Sequence, residues 1–301
     1  MTQSKIFEGV FPAITTPFNQ DGSVDHAFLR DHARWMMREG SRGMVPLGSL
    51  GEGNTLEESE KIAILETLVD ALGDAPVVPG IGSLSTQGAV RLARVAQELG
   101  CQGLMVLPPY VYTSDWREMK LHMAAVISAT DLPVILYNNP IAYRTDFLTA
   151  HILELVDEHA NVRAVKESSS DVRRVTALAA ALPSHVELMV GVDDLLLEGV
   201  VAGATGWIAG LVNAYPAESV RLFNLARAGR LDEASDLYRW FLPLLRLDTG
   251  IKFVQLIKQV QEETGHGSAR VRAPRLALTP AEFSEVRGII QQASASQPAP
   301  V

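Results

Sequence analysis

The 301-residue chain holds one cysteine, Cys101, so no disulfide can form within it. Cys101 opens the apolar run CQGLMVL with no sequence cue for a catalytic partner, and reads as a small packed hydrophobe. The seven histidines, at 26, 32, 122, 151, 159, 185 and 266, show neither i, i+4 pairing nor clustering with cysteine, so no metal site is expected. Basic residues are outnumbered, 26 Lys and Arg against 35 Asp and Glu, for a net charge of −9. That balance argues against a nucleic-acid partner and against a basic membrane-binding surface. No run reaches the ~18 apolar residues of a membrane span. The opening MTQSKIFEGVF also lacks the apolar stretch of a signal peptide, so a cytoplasmic protein with a small-molecule partner is expected.

Eight short apolar runs are present: GVFPAITTPF, GMVPLGS, APVVPGIGS, GLMVLPP, LPVILYN, VRAVKES, VELMVG and TGWIAG. Amphipathic helical patterns lie between them, such as HAFLRDHARWMMREG and TQGAVRLARVAQELG. Alternation of this kind predicts a parallel sheet, and a count of eight predicts a (β/α)8 TIM barrel of the α/β class. A doubly wound open sheet is the alternative, but no GxGxxG follows the first run. After TGWIAG only helical patterns remain. The expected organisation is a barrel over 1–229, a C-terminal helical extension over 230–292 and a disordered tail over 293–301.

In such a barrel the active site lies at the C-terminal ends of the strands. The stretch VRAVKESSSDV places Lys166 there, with Val162, Ala164 and Lys166 on one face by period two and a helix-capping cluster behind. Lys166 is then either a lysine that snorkels to solvent or an inward-facing nucleophile. Of six lysines, Lys5 is N-terminal and Lys61, Lys120, Lys252 and Lys258 fall in helical patterns, which favours the second reading. An amine in water is protonated and a poor nucleophile, whereas an apolar enclosure favours the free amine that attacks a carbonyl or imine. Tyr137, ending LPVILYN, is the candidate to relay protons during imine formation; otherwise it is an aromatic whose hydroxyl merely finds a partner. In GSLGEG the glycines permit close backbone approach, so the amides around Gly48, Ser49 and Leu50 could hold a carboxylate, unless the segment is only a tight turn.

The motifs PAITTPF (12–18), GSLGE (48–52), LPPYVY (107–112), YNNP (137–140), KES (166–168) and GVDD (191–194) together resemble the dihydrodipicolinate synthase and N-acetylneuraminate lyase family over about residues 6–290. The resemblance implies a homotetramer of barrels, an α-keto acid or imine substrate, and no metal or organic cofactor. It makes Lys166 the Schiff-base lysine, Tyr137 the proton-relay tyrosine and Ser49 the first hydroxyl of the carboxylate loop. Tyr110 matches a tyrosine passed to a neighbouring subunit, and Gly191 and Ile208 match backbone positions near the lysine. Two departures bear on substrate. Leu50 stands where dihydrodipicolinate synthases carry a second threonine, and Ala142 stands where they carry an arginine, with Arg144 two positions later. YNNPIAYRTDF, KESSSDVRR and LRLDTGIKFVQLIKQVQ look closest to the branch that deaminates Δ1-pyrroline-4-hydroxy-2-carboxylate. A 2-keto-3-deoxy sugar acid dehydratase, a pyruvate-releasing aldolase, a dihydrodipicolinate synthase and a non-catalytic keto-acid sensor remain alternatives.

Overall fold

The computed structural model describes residues 5–109, 112 and 115–297. Seven parallel strands form one sheet: β1 (Gly9–Pro12), β2 (Gly80–Ile81), β3 (Leu104–Val106), β4 (Val134–Asn138), β5 (Val162–Glu167), β6 (Glu187–Val190) and β7 (Gly206–Ala209). Their order is β1-β7-β6-β5-β4-β3-β2, so the edges are β1 and β2. The run GMVPLGS, expected as a strand of its own, fills that gap without forming a full ladder. Arg42 N donates to Val10 O at 2.9 Å and Val45 N to Pro12 O at 2.8 Å on one side. Met44 N donates to Pro76 O, and Val78 N to Met44 O, both at 2.8 Å on the other. Pro46 has no amide to continue the pairing. These bonds close the sheet, and the fold is a TIM barrel.

Around the barrel run α1 (His26–Arg38), α2 (Glu58–Leu72), α3 (Thr86–Glu98), α4 (Trp116–Ile127), the single turn α5 (Pro140–Tyr143), α6 (Thr149–Glu158), α7 (Val172–Ala181), α8 (Leu196–Val201) and α9 (Pro216–Arg227). The caps are those the sequence supplies. Asp25, Ser85, Asp115 and Asp171 accept backbone hydrogen bonds at the starts of α1, α3, α4 and α7. The chain ends in α10 (Leu231–Leu245), α11 (Phe253–Glu263) and α12 (Pro280–Ala295). Helix α12 thus enters the stretch expected as a disordered tail.

Strand alternation divides the buried residues between two cores. Val134, Leu136, Val162 and Val165 belong to the layer between sheet and helices. Ile135, Tyr137, Ala164, Met189 and Ile208 fill the barrel interior with Phe11, Val45 and Met105. Val162 therefore does not share the face of Ala164 and Lys166, as period two alone predicts. The pairing of β4 with β5 shifts register between Val134 and Ile135, opposite Val162 and Ala164, and leaves Arg163 as the extra residue. Beyond that irregularity alternation resumes, and Tyr137 pairs with Lys166.

Candidate active site

The register match sets two side chains together at the C-terminal mouth of the barrel. Lys166 is buried, with Nζ 4.1 Å from the centroid of the Tyr137 ring. Its stem has room because position 191 is glycine: a methyl there would lie 2.6 Å from Lys166 Cε and 1.9 Å from Ser168 Oγ. The Tyr137 hydroxyl accepts a hydrogen bond from Asn139 Nδ2 at 3.0 Å. Asn139 also caps α5, its Oδ1 accepting from Ala142 N at 2.9 Å. This one turn starts at Pro140 and ends where Arg144 takes a left-handed backbone (φ 56°). It carries Tyr143 inward, edge-on to Tyr137 at 5.6 Å between centroids, with its hydroxyl hydrogen-bonded to Ser49 Oγ.

These residues open onto a cavity of about 430 Å³. Gly48, Ser49, Leu50, Tyr137, Lys166, Gly191 and Ile208 all line it, so the structure gathers most of the residues singled out from sequence. Among the described residues, the Ser49 and Leu50 amides donate to no protein acceptor. Arg144 is not brought in: it is exposed and does not line the cavity, because the turn that points Tyr143 inward points the next residue out. Tyr110 lies outside the described residues.

Two carboxyl groups were not singled out. Asp193 is fully buried, and its carboxylate accepts from Trp207 Nε1 at 3.1 Å, Gly210 N at 3.0 Å and Leu211 N at 2.8 Å. Burial pushes it up to about 6, against the pull of those donors and of the Lys166 charge. Asp248 reaches the cavity from the connection between α10 and α11, so the C-terminal extension supplies part of the wall. Its Oδ1 is sealed against Gly210 with no hydrogen-bond partner. Burial, then the charge of Asp193, holds Asp248 well above the ordinary carboxylate range. In the sequence both were present only inside the motifs GVDD and LRLDTG. Tyr143 was likewise passed over for its neighbour Arg144. Among the described residues, no group of His, Cys, Asp and Glu side chains is placed to hold a metal ion, and no helix is long and apolar enough to cross a membrane.

An enclosed lysine at the mouth of a TIM barrel, beside a tyrosine and a loop with free amides, is an arrangement that can support imine chemistry on a small carboxylate. Residues 6–293 match the dihydrodipicolinate synthetase family, and the chain belongs to that family of class I, Schiff-base lyases. It is 32% identical to the 4-hydroxy-tetrahydrodipicolinate synthase of Haloarcula marismortui over 289 residues, covering 94% of this chain and 93% of that one. Among solved structures it is similar to the 4-hydroxy-tetrahydrodipicolinate synthase of Methylacidiphilum fumariolicum SolV, with a TM-score of 0.92 at 26% identity over 96% of each chain. It is also similar to YagE, a prophage protein of the dihydrodipicolinic acid synthase family from E. coli K12 solved with pyruvate. That match has a TM-score of 0.90 at 25% identity, over 96% of this chain and 99% of that one.

Proposed function

We propose that this chain deaminates a cyclic ketimine carboxylate, Δ1-pyrroline-4-hydroxy-2-carboxylate, to 2,5-dioxopentanoate and ammonia. The observation that supports this choice is the cavity wall: among the described residues Lys166 is its one basic side chain, and Leu50 and Ala142 add no hydroxyl and no cation. Such a wall suits a substrate with a single carboxylate, which the Ser49 and Leu50 amides can hold. Lys166 attacks C2, and imine exchange opens the ring to a free amine. Tyr137, with Ser49 and Tyr143 behind it, moves the protons of that exchange. Loss of the 4-hydroxyl as water, hydrolysis of the nitrogen-bearing end and release from Lys166 complete the reaction. The scheme uses side chains of this protein alone, in a cytoplasmic homotetramer.

A second reading, 4-hydroxy-tetrahydrodipicolinate synthesis, has the names of the curated relatives in its favour. It also has a place for a second carboxylate. An adjoining cavity of about 260 Å³ shares Gly48, Ser49, Ala142 and Tyr143 with the first and is lined by Lys61 and Arg275. One assay separates the two. Purified protein given the hydroxypyrroline carboxylate should release ammonia and dioxopentanoate in equal amounts, and borohydride with substrate should fix an adduct on Lys166. Ammonia at background together with condensation of pyruvate and aspartate semialdehyde would replace the deaminase by the synthase. An adduct on another lysine would remove both.

A further inference from the structure

Imine formation accounts for Lys166, Tyr137 and Ser49 but leaves one acid of the cavity without a task. Asp248 lines the same cavity as Lys166, its Oδ1 meets no donor, and no hydrogen bond to either of its oxygens is present among the described residues. Asp193, by contrast, is saturated by an indole and two backbone amides, as a structural carboxylate should be. Gly210 makes the difference of position possible: a methyl there would stand 2.1 Å from Asp248 Oδ1, so only glycine lets the carboxyl settle against the strand end. The wall beside it has a second unused polar atom, the Ser168 hydroxyl, on a residue that is 3% exposed and adjoins the Lys166 stem. Because Oδ1 is sealed against Gly210, the other carboxyl oxygen of Asp248, which has no partner among the described residues, is the one left for a ligand in the cavity.

We propose that Asp248 is a catalytic acid, which protonates a hydroxyl leaving the substrate at C4, two bonds from the imine carbon. The inference rests on the imine reading of Lys166 given above. Once a C3 proton has passed to the hydroxyl relay of Tyr137, Tyr143 and Ser49, the enamine electron pair forms the C3–C4 double bond as the C4–O bond breaks. The relay returns that proton to C3 when the double bond later shifts. The carboxyl proton of Asp248 passes to the departing oxygen, which leaves as water. Asp248 is then a carboxylate, and takes back one proton when a C5 hydrogen is lost in the shift that carries the double bond toward nitrogen. No oxidant or further reactant is needed. Burial, the neighbouring charges of Asp193 and Asp194, and the opposing charge of Lys166 together leave the carboxyl well above its ordinary range, and so able to donate.

The test compares Asp248→Asn and Asp248→Ala with the unaltered protein in two reactions. Pyruvate has no leaving hydroxyl, so borohydride trapping on Lys166 and exchange of the pyruvate methyl protons in deuterium oxide should stay within about threefold in both variants. Ammonia release from Δ1-pyrroline-4-hydroxy-2-carboxylate should fall ~10²- to 10⁴-fold, the usual worth of a proton-transfer group. A parallel loss of trapping and exchange would make Asp248 structural, and unchanged ammonia release would make it idle; either overturns the proposal and leaves the deaminase reading standing. If the unaltered protein dehydrates a 2-keto-3-deoxy sugar acid instead, the substrate reading falls, and the proposal stands only if Asp248→Asn loses that dehydration. An unaltered protein that exchanges pyruvate protons yet expels no hydroxyl from either substrate overturns both.

Discussion

Two lysines of this protein are buried, and they could hardly be treated more differently. Lys258, 1% exposed on α11, spends all three of its hydrogens: on Thr16 O at 2.8 Å, Glu52 Oε1 at 2.6 Å and Arg270 O at 2.7 Å. Glu52 is in turn bound by Arg272 N at 3.0 Å and faced by Arg275 at 3.6 Å. Lys166, 6% exposed, donates to no acceptor among the described residues and has the Tyr137 ring beneath it. Burial is nearly the same, yet one amine is locked and the other is open. A fully bonded amine is committed to its place, here riveting α11 to the loop that carries Ser49. An amine with unspent bonding is one that a substrate can recruit.

Replacing each lysine should break the comparison along different axes. Lys166→Ala should lower turnover on the order of 10⁵-fold, as loss of a nucleophile does. Chemical denaturation of the variant should show stability unchanged or slightly higher, since an unpaired buried amine has been removed. A stability loss above about 2 kcal/mol would mean that Lys166 carries structure after all. Lys258→Met should instead cost about 3 kcal/mol in the same measurement, the low end for breaking a buried ion pair, because Arg272 and Arg275 still face Glu52. Its kcat/KM per folded molecule should change less than tenfold.

The contrast also marks where sequence reading stops. Strand and helix patterning carried the barrel, and the position of Lys166 at a strand end placed it at the cavity, because strand alternation is a local property. Lys258 was set aside as a residue in a helical pattern. Two of its three partners lie 206 and 242 positions away, and nothing local announces them. Glu52 has the same history: it is buried, with a left-handed backbone (φ 55°) at the edge of the loop that positions Ser49. Such a conformation costs an L residue stability, and the Lys258 and Arg272 bonds offset it. Asp248 escaped because the C-terminal segment looked like an appendage, and only its packing over the barrel mouth makes it part of the cavity wall. Arg144 was weighed and Tyr143 was not, yet Tyr143 faces in, because one turn of helix, started by Pro140, decides which of two neighbours does so.

The smallest effect sharpens the comparison through pH. Burial pulls Lys258 down from the ordinary lysine value of 10.5 to about 8, despite the opposing attraction of Glu52. Between those limits the unfolded chain holds a proton at this site that the folded chain has begun to release. Stability changes with pH in proportion to protons bound by the unfolded state minus those bound by the folded state, so this group makes stability rise as pH climbs from about 8 toward 10.5. The gain should be about 1 kcal/mol between about pH 8 and 9 in the unaltered protein. Other groups titrate in the same range, so the informative quantity is the difference between the unaltered protein and Lys258→Met, which lacks this site in both states. Thermal or chemical denaturation across that range should show the two curves diverging upward in favour of the unaltered protein. Parallel curves would mean that the triple hydrogen bonding holds the Lys258 proton beyond this range, and would make the locked lysine more firmly charged than its burial alone implies.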